Sequence, residues 1–208
     1  ESGCQNQLRR FGKGTTIQQN VLALRILTAL GIKIRIGFIM FDPLMKDISE
    51  LKDNLEFLAR TDAIMNPINK KDYTYEELYA LLQDEEFVKK NSSGKPIYSV
   101  VSYMLASLEV LIGSSYANML IKEEQKDDSK YILDYDTPDL NVGRYHTAYV
   151  DKKIGLLSLY CQKWIDSNFG LMYTVKSLYK TAEDEEKVIL YEYMSIHREI
   201  SQYLLEYL

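Results

Sequence analysis

The sequence predicts an α/β chain whose last part is mainly helical. Three observations carry this. Residues 17–30 keep one face apolar at helical spacing, through Ile17, Val21, Leu24 and Leu27. Ile32, Ile34 and Ile36 then alternate with Lys33, Arg35 and Gly37 before a fully apolar run to Phe41, the pattern of a strand buried on both faces in a parallel sheet. From Thr147 to the end the chain reads as two or more helices.

Along the chain, Leu8 and Phe11 follow Gly3 in a short apolar-spaced turn. Gly12 to Thr16 is a loop with a threonine suited to cap the helix beginning at Ile17. Gly31 stands in the usual position just past that helix's end. Asp42-Pro43 stops the strand Ile32–Phe41. Asp47, with Glu50 three residues on, resembles a capping box, and Ile48, Leu51, Leu55 and Leu58 continue at helical spacing. Helix, strand and helix joined by short loops form a βα repeat. Tyr73 to Lys89 reads as helical and charged, and Asn91 to Pro96 as a loop. Residues 97–123 are strongly apolar. The preferred reading is a strand at Leu108–Leu111, a turn at Gly113-Ser114 and a helix over Ser115–Glu124; one long helix is the alternative. Glu123 to Lys130 is a charged, exposed loop. Thr181 is the expected N-cap of the last helix, ahead of Glu183, Asp184, Glu185 and Glu186, where the helix dipole favours acids. Val188, Tyr191, Met194, Ile200 and Leu204 form its expected apolar stripe.

Composition bounds the function. The net charge is −5 with no basic stripe, so nucleic acid is not an expected partner. No run reaches the roughly 18 apolar residues of a membrane span, and no signal peptide is visible. Cys4 and Cys161 are too few and too distant for a disulfide framework, which makes a reducing cytoplasm the expected location. The 17 tyrosines against one tryptophan suggest large half-buried surfaces, because Tyr packs its ring while keeping its hydroxyl wet. The chain begins at Glu1 without a methionine, directly in structured-looking sequence, as expected of a processed or cut terminus.

Glu1-Ser2-Gly3, then Leu8, Phe11 and Lys13-Gly14-Thr15-Thr16, resembles the segment ending the fourth barrel strand in radical S-adenosylmethionine (SAM) enzymes, especially the branch that often carries a cobalamin domain. Gly31-Ile32 through Gly37-Phe38-Ile39 stands where that pattern continues, and Glu109-Val110 through Gly113-Ser114-Ser115-Tyr116 resembles its last-strand motif. The likeness covers about residues 1–60 and 105–120. It implies the C-terminal βα units of a partial TIM-type barrel over 1–124, followed by a helical extension over 125–208. It also implies that Glu1 and Ser2 bond the ribose or amino-acid part of SAM, that Lys13 reaches its carboxylate, that Ile39 packs under the adenine, and that the Leu111–Gly113 backbone holds the adenine edge. Active sites at the C-terminal rim of the strands are the rule for such barrels.

The family's Cys-x3-Cys-x2-Cys loop, which binds a [4Fe–4S] cluster, is not in this sequence. Clusters need such thiolates, and two distant cysteines do not supply them. The expectation is a C-terminal fragment whose missing N-terminal half holds the cluster, with cobalamin a possible further cofactor of the parent, and a fragment that is inactive alone and holds no cofactor by itself. The substrate class stays open between a small molecule and a peptide. A non-catalytic helical interaction module, docking a partner on tyrosine-bearing helices, is the alternative. The plainer readings stand beside these: Glu1, Ser2 and Lys13 as loop, cap and solvated charge, and Ile39 and Leu111 as core. His146 and His197 lack ligand-spaced neighbours and read as surface or satisfied histidines, with a substrate-side acid or base as the alternative for His146. Cys161, on an apolar face near Trp164, reads as buried and inert.

Overall fold

The structure is a computed structural model that describes residues 2–101, 105–126 and 131–207. The chain divides into two compact units, Glu1–Phe38 with Asp53–Met104 and Ile39–Lys52 with Leu105–Leu208.

The first unit is helical. It holds α1 (Gln5–Arg10), α2 (Ile17–Ala29), the later part of α3 (Ser49–Ala59), α4 (Tyr75–Leu81) and α5 (Glu85–Asn91), with 3-10 turns at Lys70–Asp72 and Ile97–Val100. The start of α2 is a reciprocal capping box: Thr16 Oγ1 accepts from the Gln19 N–H, and Gln19 Oε1 accepts from the Thr16 N–H. Its end is a Schellman motif. The Gly31 N–H donates to Thr28 O and the Ile32 N–H to Leu27 O, with Gly31 at φ +75. Ala29, Met65, Leu78, Leu82 and Val88 form the core of this unit, with Leu22, Ile26 and Leu30 against it.

The segment read as helical over Tyr73–Lys89 holds two helices, α4 and α5. Asp84 makes the break, because its carboxylate caps the second helix at the Phe87 N–H.

The second unit contains the start of α3, β1 (Val110–Leu111), α6 (Ser115–Glu124), β2 (Leu133–Asp139), β3 (Arg144–Thr147), α7 (Lys152–Thr181) and α8 (Asp184–Tyr207). The sheet has the order β1-β3-β2, and both pairings are antiparallel, with Val110 opposite Tyr145 and Leu133 opposite Thr147. Val110, Ala117, Leu120, Ile132 and Leu133 form its core. Glu124 joins α6 to β2: one carboxylate oxygen accepts from the Ile132 and Leu133 N–H groups, the other from the Tyr135 hydroxyl. Asp134 draws the Asp136 and Thr137 N–H groups onto its own carboxylate. That diverts them from the ladder and accounts for the register shift between Asp134 and Asp139.

Several expectations are corrected. Ile32–Phe41 is not a continuous strand; its ladder pairing is confined to isolated parallel bridges, Ile36 with Val101 in the first unit and Phe41 with Ser107 in the second. The physical reason lies in its first half, where Ile32 is exposed and Ile34 and Ile36 are only half-buried, so no apolar sandwich holds that stretch flat. The described three-stranded sheet is antiparallel, whereas the bridges of Ile32–Phe41 have the parallel direction expected of that segment. Leu108–Leu111 is a strand over only Val110–Leu111. The β2–β3 pair was not anticipated within the helical extension, because Asp134, Asp136 and Pro138 interrupt strand patterning. The charged loop expected from Glu123 begins after α6, and residues 127–130 lie outside those described.

Thr181 caps nothing at α8. It is the last residue of α7, and its hydroxyl donates to Leu178 O. Glu186 instead reaches back to the Glu183 N–H. Of the stripe expected on α8, Met194 is buried, whereas Val188, Tyr191 and Ile200 are exposed; the Leu204 side chain lies outside the described residues. No described helix is long and apolar enough to cross a membrane.

Candidate functional site

In the first unit the N-terminal motif folds inward. Ser2 is fully buried. Its hydroxyl accepts from the Cys4 N–H at 2.9 Å and lies 2.5 Å from Gln7 Oε1 and 3.0 Å from Asn54 Oδ1. One hydroxyl carries one proton, and the shorter contact directs it to Gln7. Asn54 closes the network: its Oδ1 accepts from the Gly3 N–H at 2.7 Å and its Nδ2 donates to Gln7 Oε1 at 2.7 Å. Gln7 and Asn54 are both fully buried, so this satisfied network fixes the N-terminal motif onto α3. Gly3 is required for that approach. A Cβ there would sit 2.2 Å from Phe57 Cβ.

Glu1, the other acid-side member of the expected set, lies outside the described residues. Lys13 is exposed on the loop after α1, its N–H donating to Leu8 O. Gly12 and Gly14 on either side have φ +66 and +62, a conformation that favours glycine and sets the direction in which the loop presents the lysine.

The expected positions of the second unit occupy different environments. Ile39 is half-buried, and Leu111 is 48% exposed at the end of β1. The Leu111 carbonyl accepts from the Ser114 N–H, and the Ile112 N–H donates to Gly143 O, so part of the Leu111–Gly113 backbone is committed within the unit. Gly113 has φ +77 and turns the chain into α6, whose first turn Ser114 caps through the Ala117 N–H.

Sequence reading missed two polar clusters. One is Gln7 with Asn54. The signal was available: Asn54 falls between Leu51 and Leu58 at helical spacing, and a polar residue on an apolar face needs partners. The other is a run of hydroxyls in the second unit. Ser107 Oγ is 2.6 Å from Ser158 Oγ, which is 2.9 Å from Tyr149 Oη. Nearby, the buried Asp42 accepts from the Tyr116 hydroxyl at 2.9 Å and from the Leu44 N–H at 2.9 Å. Burial, above all, raises the Tyr149 phenol above its ordinary value, with the Asp42 charge adding to it. Tyr149 therefore works as a neutral hydrogen-bonding group. Gly155 admits its ring against α7, where a Cβ would lie 3.0 Å from Tyr149 Cβ. Cys161 is fully buried, and burial pushes its thiol up to about 12, which makes it inert as expected.

The two histidines do not combine. His146 is exposed on β3. His197 stacks on Trp164 with ring centroids 5.9 Å apart, and burial followed by the Arg198 charge lowers its pKa. Among the described residues, no three His, Cys, Asp or Glu side chains come together as a metal site. The donor set does not fit an iron–sulfur cluster, because the sequence offers two cysteines, both buried, where a cluster needs at least three thiolates.

No protein-family model matches the chain. It is 57% identical over 209 aligned residues to the 4'-phospho-dehydrooxetanocin synthase of Priestia megaterium, covering 100% of this chain and 28% of that protein. Solved structures of the cobalamin-dependent SAM radical enzyme OxsB match as well. The one with aqua-cobalamin and SAM bound aligns at a TM-score of 0.91 and 57% identity, over 100% of this chain and 28% of that one. The one with aqua-cobalamin alone aligns at 0.91 and 57%, over 100% and 29%. The chain thus spans little more than a quarter of the relatives it matches. Over its whole length it is similar to the C-terminal part of a cobalamin-dependent radical SAM enzyme.

Proposed function

We propose that this chain supplies the C-terminal wall of the SAM site in a cobalamin-dependent radical SAM enzyme. The observation that carries the reading is the whole-chain match, at 57% identity and TM-score 0.91, to the C-terminal part of an enzyme solved with SAM and aqua-cobalamin. In this reading residues 1–124 are the last βα units of a partial barrel and 125–208 the extension that shapes the substrate side. The remaining part of the enzyme holds the [4Fe–4S] cluster. When bound, the cluster supplies the electron for reductive SAM cleavage. Because its ligands are not among the described residues, the chain alone does not catalyse.

The chain's own residues bind and orient. Lys13, exposed on a flexible stem between two glycines, gives a cation for the SAM carboxylate. Ser2 acts through position: its hydroxyl is engaged with Gln7 and Asn54, so it holds the backbone at Ser2 and Gly3, and the direct contact with SAM falls to Glu1. In the second unit Ile39 gives an apolar surface for the adenine, and the Leu111–Gly113 backbone its edge. Cytoplasmic location follows from the same reading, since such clusters persist under reducing conditions.

The test is a chimera in which this chain replaces the matched C-terminal part of the Priestia relative. Reconstituted anaerobically, the chimera forms 5′-deoxyadenosine from SAM and the isolated chain forms none. Lys13→Ala in the chimera raises KM for SAM about tenfold with kcat little changed, the signature of lost uniform binding. An unchanged KM removes Lys13 from the site; no cleavage by a folded, cluster-loaded chimera overturns the reading.

A further inference from the structure

Helix α8 carries a second apolar seam that its own unit does not use. Its inward face is set by Met194, Ser201 and Gln202, which are 4%, 4% and 6% exposed. Turned away from that face are Ile189, Tyr193, Ile196, Ile200, Tyr203 and Tyr207, from 38% to 89% exposed. Their spacing is four, three, four, three and four residues. That alternation is the seam of a coiled coil, in which another helix inserts its knobs. Contiguous exposed apolar surface of this kind marks an interaction face. Glu185, Glu192 and Glu199 recur at seven-residue intervals along one edge of the seam, and all three are exposed. Helix α7 shows the same duality, with Ile154, Ser158 and Cys161 buried while Leu156, Leu159 and Tyr160 stay exposed.

The acidic edge selects the occupant. Flanking charges in coiled coils decide partner and orientation. A second copy of α8 laid antiparallel sets the glutamate row against itself, and like charges so placed are destabilising. Laid parallel, it sets the row against the opposite flank of the seam, where Leu190 and His197 are half-buried in their own unit. A helix with Lys or Arg beside its apolar positions satisfies both features. The source is also indicated: the relatives that match all of this chain are more than three times its length, and the chain keeps its fold within them.

We propose that the outer seam of α8 is the docking face for the remainder of the enzyme, which contributes an amphipathic helix with basic residues against Glu185, Glu192 and Glu199. This rests on the reading of the chain as one part of a larger radical SAM enzyme.

Hydroxyl-radical footprinting of the isolated chain and of the Priestia chimera tests it. The oxidation of Tyr193, Tyr203 and Tyr207 is expected to fall at least fivefold in the chimera. Ile196→Glu restores most of that oxidation, and Glu192→Lys with Glu199→Lys restores it more strongly at low salt than at high. Supplying the relative's unmatched portion in trans gives the same readout should the chimera be insoluble. Equal oxidation in both contexts overturns the proposal. So does protection already present in the isolated chain together with a dimeric mass in sedimentation, which would assign the seam to a second copy. SAM cleavage is measured separately: a protected but inactive chimera defeats the proposed function alone, and an active but unprotected one defeats the docking face alone.

Discussion

The N-terminal motif and the C-terminal helix invert the usual relation between polarity and depth. Around Ser2, polar groups are buried: Ser2, Gln7 and Asn54 are fully enclosed and bonded to one another. Along α8, six apolar side chains point outward. Each inversion marks a place where local patterning is overruled, in one case by a backbone that must be held in a set shape and in the other by a surface whose partner is not in the chain. A buried polar network is costly unless every member is satisfied. An exposed apolar seam costs little in the folded chain itself but exposes it to association. The two regions should therefore respond oppositely to substitution.

The largest effect is expected at Gly3. In Gly3→Ala the added Cβ meets Phe57 Cβ at 2.2 Å and Asp53 O at 3.1 Å, so backbone must move, and overpacking of this kind costs about 3 kcal/mol. Urea denaturation would show it as a lower midpoint. A midpoint within error of the parent chain would mean the motif is not held as tightly as the contacts indicate. Asn54→Ala comes next. It removes an acceptor from the Gly3 N–H and a donor from Gln7 Oε1, and leaving such groups buried and unpaired costs about 2 kcal/mol. Its mark is selectivity: amide exchange should quicken at Gly3 and Cys4 well before it does in β3. Uniform quickening would refute a local role.

Much of the first unit was legible because it follows local rules. Gly31 and the threonine ahead of Ile17 each announce an α2 boundary, and the backbone has no competing option there. The motif's family likeness was legible too, but its interior was not: the partners of Ser2 come from 5 and 52 residues away, and only the misplaced polarity of Asn54 hinted at them. Ile32–Phe41 misled because its alternation, which falls within the first unit, was read without knowing what lay above and below it. Ile32 proved to be 48% exposed. The α8 stripe misled for a related reason. Helical spacing is satisfied by two apolar seams, and the sequence does not say which one faces its own core. The hydroxyls of Ser107, Tyr149 and Ser158 leave no trace in spacing, since the fold brings together positions 51 residues apart.

A smaller effect, dependent on pH, distinguishes the first unit from α8. Asp62 accepts from both Arg60 and Arg25, at 2.7 and 2.5 Å. Burial pushes its carboxyl up, but the two guanidinium groups outweigh that and hold it below its ordinary value. A carboxyl lowered in the folded state adds stability above the unfolded-state pKa, near 4, and loses it as pH falls through the folded value. Asp62 is more than a third exposed, so solvent screening limits its share to about 1 kcal/mol or less. Between pH 6 and 2.5, Asp62→Asn should flatten the acid limb of the stability curve. Parallel curves for variant and parent would exclude the ion pairs as its source.

The smallest effect should be at Ile196, and its smallness is what gives it force. Ile196→Gln removes apolar surface that is 48% exposed and seven-residue periodic with Tyr203, so the isolated chain should change by no more than about 0.5 kcal/mol. Met194→Ala, two residues away on the inward face and 4% exposed, should cost about 3 kcal/mol through the cavity it leaves. Melting the two variants side by side measures which seam the folded chain relies on. Should Ile196→Gln destabilise the chain as much as Met194→Ala, the outer seam would already be packed in the isolated protein, and its tyrosines would need no further partner. A stable Ile196→Gln chain that aggregates less than its parent supports the opposite: α8 is built for two neighbours, and this chain provides one of them.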